Sequence, residues 1–580
     1  MARSAVTASG ATPTGGAAAS PAGVTALGEA VQERWQLPLA VLIVGMFVSI
    51  LDISIVNVAL PSIQNEFGAT TKESQWVVTG YALAEGVVVP VSAWLGYRLG
   101  LARVYNLALL GFAGGSALCG LAWSLDSLTA FRIVQGIVGG ILPAITMTIL
   151  LRIVPRDRLG AAFGMYGLGA VVAPTIGPAL GGYLVEYVDW RLIFFINVPI
   201  GILGTVAAVL VLPRFPGLAG RRFDLLGFVT VASGLFALLL ALSKGEDWGW
   251  SSYRILGLIT YSVLSLVLFV VIELEVDDPL LDLRVFRFPA FTHSLVLIAF
   301  LMVATFSILF LMPQFLQLGQ GLGALDAGLV LLPPALVMGA LMPISGLLYD
   351  RIGPRWPAIA GLTIAAVGSY LVASITLDTT RGEIMWSLIV LYGGLGVCFM
   401  PIFSAGLAVI PNSYSNVASA TNNVVQRTAG AFGVAVVTTI LTLQQAQLMA
   451  GRTALLPAST PVPDLGPTAP PLADLYATYQ QTQLQVFTEA INNQFLLITA
   501  IFVVSTMVAI FLRSGPSPMT SAGPAPPART TSGSPSANGH LVDGERHLEL
   551  PTTTATGNSS SAGTSNGRSA PRSTQVHSDG

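Results

Sequence analysis

Two segments, Pro90-Val-Ser-Ala-Trp-Leu-Gly-Tyr-Arg-Leu-Gly100 and Pro343-Ile-Ser-Gly-Leu-Leu-Tyr-Asp-Arg-Ile-Gly353, share the pattern P-x-S-x-x-L-x-x-R-x-G. Each closes an apolar run long enough to cross a bilayer, which reads as an internal duplication of a membrane-embedded unit. The composition around them agrees: 53% of the 580 residues are hydrophobic and only 10% charged, where soluble chains carry roughly a quarter charged residues. Runs of about 20 apolar residues, the length a helix needs to span the hydrocarbon layer, are predicted near 38–60, 75–96, 103–123, 128–153, 160–184, 192–213, 224–243, 253–272, 291–316, 325–349, 357–377, 384–410, 415–445 and 493–513. These fourteen spans make an all-α membrane protein with both termini on one side. Fourteen arginines lie at the span ends on that side, Arg98, Arg156 and Arg351 among them, against six Lys/Arg on the other. An excess of positive charge marks the cytoplasmic face, so a cell-membrane protein with two cytoplasmic termini is expected.

Duplication and span count together divide the chain. Residues 1–37 and 514–580 are rich in small and polar residues and cannot bury enough surface to offset their ordering entropy, so disordered cytoplasmic ends are expected. Between them, 38–213 reads as an N-terminal six-helix bundle, 214–290 as two inserted helices with linkers, and 291–513 as a C-terminal six-helix bundle. The last includes an external loop, 446–492, with a Pro-rich stretch followed by a polar run of helical spacing. Cys119 and Cys398 both fall inside apolar runs and read as packing residues.

In this frame, Leu51-Asp-Ile-Ser-Ile-Val-Asn-Val-Ala-Leu-Pro61, Arg132-Ile-Val-Gln-Gly136, Gly177-Pro-Ala-Leu-Gly-Gly182 and Trp190-Arg-Leu-Ile-Phe-Phe-Ile-Asn-Val-Pro-Ile-Gly201 follow in order. The sequence resembles the fourteen-spanner drug/proton antiporters of the major facilitator superfamily (EmrB/QacA type) over about 38–513. The resemblance implies the major facilitator fold, with two six-helix bundles and two inserted helices. It also implies proton-coupled export of amphipathic or cationic organic compounds by alternating access. Export of one endogenous metabolite, lipid or siderophore by the same mechanism is the alternative. The cytoplasmic-loop motif (Arg98, Gly100; Asp350, Arg351, Gly353) and the fifth-span motif (Gly177, Pro178, Gly181, Gly182) are the gating residues so implied. The first loop copy has Tyr97 where the family places an acid, so the second copy is expected to carry more of the gate.

Charged groups inside the spans are costly unless paired, protonated or facing water. Asp52 and Glu85, at mid-depth, are therefore candidates for proton coupling, with Arg132 as a partner of Asp52; structural ion pairs or hydrogen bonds are the alternative. Gln314, Gln317 and Gln320 at i, i+3, i+6, and Asn422, Asn423, Gln426 and Arg427, are candidates for lining a substrate cavity or for bonding between helices. No G-x-x-x-x-G-K-[ST] loop and no H-E-x-x-H cluster occurs, which argues against a nucleotide-driven pump and a membrane hydrolase. The expected partners are a small organic solute, protons and the lipid bilayer, with no nucleic acid, nucleotide, cofactor or metal.

Overall fold

The computed structural model describes residues 35–217, 222–454 and 472–512, and these are helical with no strand among them. In chain order the helices are α1 (Gln36–Phe67), α2 (Thr71–Leu99), α3 (Leu101–Gly120), α4 (Leu125–Gly139), α5 (Ile141–Ile153), α6 (Leu159–Tyr187), α7 (Leu192–Phe195), α8 (Asn197–Val211), α9 (Leu225–Trp248), α10 (Tyr253–Glu275), α11 (Pro289–Gln314), α12 (Ala324–Ile352), α13 (Arg355–Val372), α14 (Arg381–Ala408), α15 (Ser415–Ala454) and α16 (Leu472–Ala509). Helices α4 and α5 form one span bent at Gly140, and α7 and α8 form another. Thirteen spans among the described residues are long and apolar enough to cross a membrane. Helix α6 makes the fourteenth: 29 residues give about 44 Å at 1.5 Å each, with Glu186 its single charge.

The expected disordered ends lie almost wholly outside the described residues, as does the Pro-rich stretch of the 446–492 segment. The rest of that segment is helical, because α15 runs on to Ala454 and α16 begins at Leu472. The polar run with helical spacing is thus the first turns of α16.

Both copies of the duplicated motif end a helix at a glycine in the left-handed region, Gly100 at φ 86° and Gly353 at φ 79°. An L side chain is strained there, which explains why the last position of the pattern is glycine twice. The two copies also pack equivalently. The first ends α2 against the start of α15: the Asn416 amide donates to the Ala93 carbonyl at 3.3 Å, and the Tyr97 hydroxyl donates to the Ser413 carbonyl. The second ends α12 against the start of α6, where the Gly346 and Gly160 backbones touch and Gly164 lies on Met342 and Pro343. Each repeat therefore lays the end of its second span on the start of the other repeat's fifth. All these contacts are on one face of the protein, called here the basic face because Arg98, Arg156, Arg158, Arg351 and Arg355 lie there.

A Cβ on Gly346 would run into the Gly160 backbone, whereas one on Gly182, near the other end of α6, meets nothing within 4 Å. Alanine is favoured over glycine by about 1 kcal/mol in an unobstructed helix. Gly346→Ala should therefore lower the thermal unfolding midpoint of detergent-solubilised protein, while Gly182→Ala should hold or raise it.

Candidate functional site

Helix α1 is apolar over nearly all its 32 residues, and Asp52 is buried near its middle. Leaving a carboxylate unsatisfied at that depth costs about 3 kcal/mol or more, so α1 turns it inward. Two helices, α4 and α8, then bond it directly. Arg132 of α4 pairs with Oδ2, while Gln135 Nε2 and Asn197 Nδ2 donate to Oδ1 at 3.1 and 2.9 Å. Arg132 Nη1 also donates to Gln135 Oε1 at 2.9 Å and its Nε to the Val77 carbonyl at 3.3 Å. The guanidinium lies over the Tyr81 ring, 4.0 Å from its centroid. Asn197 is held in turn by Ser116 Oγ at 3.1 Å, and the Ser116 hydroxyl donates to the Phe194 carbonyl at 2.8 Å. Arg132 and Asp52 are 1% and 0% exposed, so this ion pair is shielded from solvent and lipid alike.

The expected Asp52–Arg132 contact is therefore present, with two partners that the sequence reading did not single out, Gln135 and Asn197. Both lie inside the quoted motifs, and Asn197 is a lone amide in an apolar run. That is the signal that could have found it.

Glu85 lies elsewhere. It is buried on α2, and Arg427 Nη2 of α15 donates to its Oε1 at 2.5 Å. This pair joins the two repeats at mid-depth. Val77, Tyr81 and Glu85 follow at i, i+4 and i+8, so one stripe of α2 touches Arg132 twice and then carries the carboxylate that meets Arg427.

The gating residues separate into three sets. Asp350 accepts from the backbone N–H groups of Gly160 and Ala161 at 2.9 and 3.1 Å, placing its carboxylate on the N-terminus of α6, where the helix dipole favours negative charge. Tyr97 also bridges the repeats, by donating to a carbonyl instead of accepting from amides, so the first copy is altered but still makes its contact. Arg98 and Arg351 are exposed. In the fifth-span motif, Gly177 packs on Ser54 and Gly181 on Ile55, both of α1, and Gly182 faces open space; the Pro178 side chain is outside the described residues. Those glycines therefore hold α6 on α1 beside Asp52. Among the glycines of α6, the contact with α12 falls to Gly160, Gly164 and Gly167.

Across the repeats the basic face holds one more bond set, missed because Arg152 reads only as a flanking charge. Its Nε and Nη2 reach Ser415 Oγ at 3.3 Å and Asn416 Oδ1 at 3.1 Å.

No hydrogen bond joins the remaining candidates on α11 to those on α15 among the described residues. On α15, Asn422 and Asn423 are buried, Asn423 donates to the Ser419 carbonyl at 2.9 Å, and Gln426 donates to Asn422 Oδ1 at 2.5 Å. The glutamine series on α11 is broken by a π-helical turn at Phe315–Gly319, whose extra residue rotates the register. Gln317 is exposed, Gln314 half-buried, and Gln320 donates to the Leu377 carbonyl at 3.1 Å.

Two tests follow. Removing one member of a buried ion pair costs about 3–5 kcal/mol, whereas removing both can be nearly neutral. Arg132→Met should destabilise the protein more than Asp52→Asn combined with Arg132→Met, by thermal unfolding in detergent. Charge-assisted hydrogen bonds are worth about 1.5–3 kcal/mol and neutral ones about 0.5–1.5. Asp350→Asn should therefore cut transport rates further than Tyr97→Phe at matched expression.

A family model described as Major Facilitator Superfamily matches residues 42–434. The chain is similar to "Uncharacterized MFS-type transporter YhcA" of Bacillus subtilis (strain 168), with 35% identity over 404 residues, covering 70% of this chain and 76% of that one. It is 30% identical over 435 residues to "Multidrug transporter protein MdtP" of the same organism, covering 73% of this chain and 78% of that one. Among solved structures, the MFS proton:xylose symporter XylE superposes with a TM-score of 0.53 at 12% identity, covering 82% of this chain and 96% of that one; at this identity the likeness concerns the fold alone.

Proposed function

The chain belongs to the Major Facilitator Superfamily, and from that premise we propose that it is a proton-coupled secondary exporter of amphipathic organic compounds, cationic ones included, of the multidrug-efflux kind. It is a transporter, a multi-pass membrane protein with the superfamily's fold, and no enzyme. Transporters of this class carry small-molecule solutes, and the relative named as a multidrug transporter supports a broad substrate range.

The observation that carries the coupling is Asp52. Its charge holds together side chains from α4 and α8, and Arg132 in turn grips α2 at Val77 and Tyr81. A proton on Asp52 removes the charge around which these helices are ordered. The change reaches α2 directly, and two turns along the same stripe α2 carries Glu85, which meets the other repeat. Protonation in one repeat is thereby passed to the contact between repeats. We assign 38–213 and 291–513 to the two moving bundles, with 214–290 inserted between them. By the excess of arginine, the basic face is the cytoplasmic one. The bonds of Asp350, Tyr97, Arg152 and Asn416 then make this the state with its cytoplasmic side bonded shut.

Uptake by everted vesicles tests this reading, since cellular export appears there as uptake. A panel containing taurocholate and tetraphenylphosphonium should include a compound accumulated above empty vesicles when respiration is energised. That accumulation should fall to background on adding an uncoupler, and Asp52→Asn should lose it while retaining solute counterflow. Accumulation that survives the uncoupler would overturn the proton coupling.

A further inference from the structure

The pair between the repeats is unequal in a way that bears on substrate class, and the inference rests on the reading of this chain as an exporter. Glu85 is 1% exposed and Arg427 is 26% exposed. Of the two, only the base is open to an approaching solute; the acid is covered. Arg427 Nη2 is taken by Glu85, but Nε is buried and finds no acceptor among the described residues. A guanidinium offers five N–H donors on a planar fork and no acceptor. A buried donor without a partner costs about 1–3 kcal/mol, a cost that an incoming acceptor oxygen would remove. The position is mid-depth: Arg427 is twelve residues into α15, about 18 Å along it.

We propose that Arg427 anchors an acceptor oxygen of the transported compound. Amphipaths carrying a sulfonate, carboxylate or carbonyl are thus preferred to cations that carry none. A cation would have to reach Glu85 past a like charge, which costs free energy in a low-dielectric setting. Glu85 and the solute share one guanidinium, so the acid tunes the site: its negative charge opposes an anionic solute and occupies one donor.

Purified full-length protein and its variants can be tested by equilibrium binding of taurocholate, which bears a sulfonate, and tetraphenylphosphonium, which has no acceptor oxygen. The parent should bind taurocholate more tightly. Arg427→Lys keeps the charge but loses the fork, and should weaken taurocholate about tenfold or more, the scale of one charge-assisted hydrogen bond. Glu85→Gln frees a donor and removes the opposing charge, and should strengthen taurocholate while leaving tetraphenylphosphonium no tighter. A purely structural pair predicts the reverse, since breaking it can only loosen the site. The exchange Glu85→Arg with Arg427→Glu should invert the preference. Parent protein that does not bind taurocholate would overturn the proposal. So would variants that remain monodisperse and bind it as the parent does, or Glu85→Gln binding it more weakly. These equilibria need no gradient, so the uncoupler result and this one fail independently.

Discussion

A carboxylate inside a hydrocarbon layer has to be satisfied by something, and Asp52 is paired with Arg132 and hydrogen-bonded by amides, all from two other spans. The arrangement of the first repeat follows from this requirement. Helices α1, α4 and α8 must meet where the carboxylate is. Helix α2 must lie beside α4 so that the Val77 carbonyl can take the Nε donor and the Tyr81 ring the face of the guanidinium. Helix α3 must come close enough for Ser116 to hold Asn197. The glycines of α6 reinforce the same point, since Gly177 and Gly181 bring that helix onto Ser54 and Ile55, within three residues of the acid. Buried networks of this kind are unforgiving when partly satisfied; each oxygen of Asp52 has a donor, while Asn197 Oδ1 and the Tyr81 hydroxyl, at its edge, have no partner among the described residues.

Helix α6 serves two neighbours with two ends. Its first turns carry Gly160 and Gly164 against α12 and receive the Asp350 carboxylate on their backbone amides. Its later turns carry Gly177 and Gly181 against α1. Small residues in both regions permit backbone approach, but only the first region joins the repeats. Among the described residues, the glycines of the motif that the family resemblance links to antiport pack within one repeat, and the glycines that touch the other repeat, Gly160, Gly164 and Gly167, lie ten or more residues earlier.

Much of this was legible before the structure. Apolar run length reveals spans because the bilayer thickness sets it, and the duplicated P-x-S-x-x-L-x-x-R-x-G segment exposes the two-repeat plan because the same left-handed glycine is needed twice. Asp52, Glu85 and Arg132 stood out because charge in a span is expensive. What stayed hidden has physical reasons. Arg152 sits at a span end, where arginines usually meet water, and nothing local says that Asn416, 264 residues later, will accept from it. Tyr97 looked like a lost acid because a hydroxyl cannot imitate a carboxylate; its bond to the Ser413 carbonyl uses the opposite polarity. The glutamines at 314, 317 and 320 matched an α-helical stripe, but a π-turn changes the period within the stripe itself. The pairing of Glu85 with Arg427 needed knowledge of which spans face each other, which periodicity does not supply.

The distribution of bonds between α2 and α15 shows how such a molecule can be both held and mobile. On the basic face the two helices meet through Tyr97, Ala93 and Asn416. Towards the other face the inserted segment stands between them. Lys244 of α9 donates to Gln75 Oε1 at 3.2 Å, while Thr442 donates to Glu246 Oε1 at 2.6 Å and the Trp250 indole to Thr439 Oγ1 at 2.6 Å. Glu85 and Arg427 lie between these two sets. When two rigid bodies rock against each other, contacts at the ends change length most and those near the fulcrum least. The end contacts are hydrogen bonds rather than ion pairs between the repeats, some neutral and some with one charged partner, worth about 1 to 3 kcal/mol each, and lie nearer the membrane surfaces, where water can replace them. The central contact is an ion pair with one member buried, costly to open in hydrocarbon, and its position between the end sets is the one that a rocking motion would change least. The inserted helices thus give the end of α2 away from the basic face a partner that α15 alone does not supply, while the ion pair between the repeats lies between the two end sets.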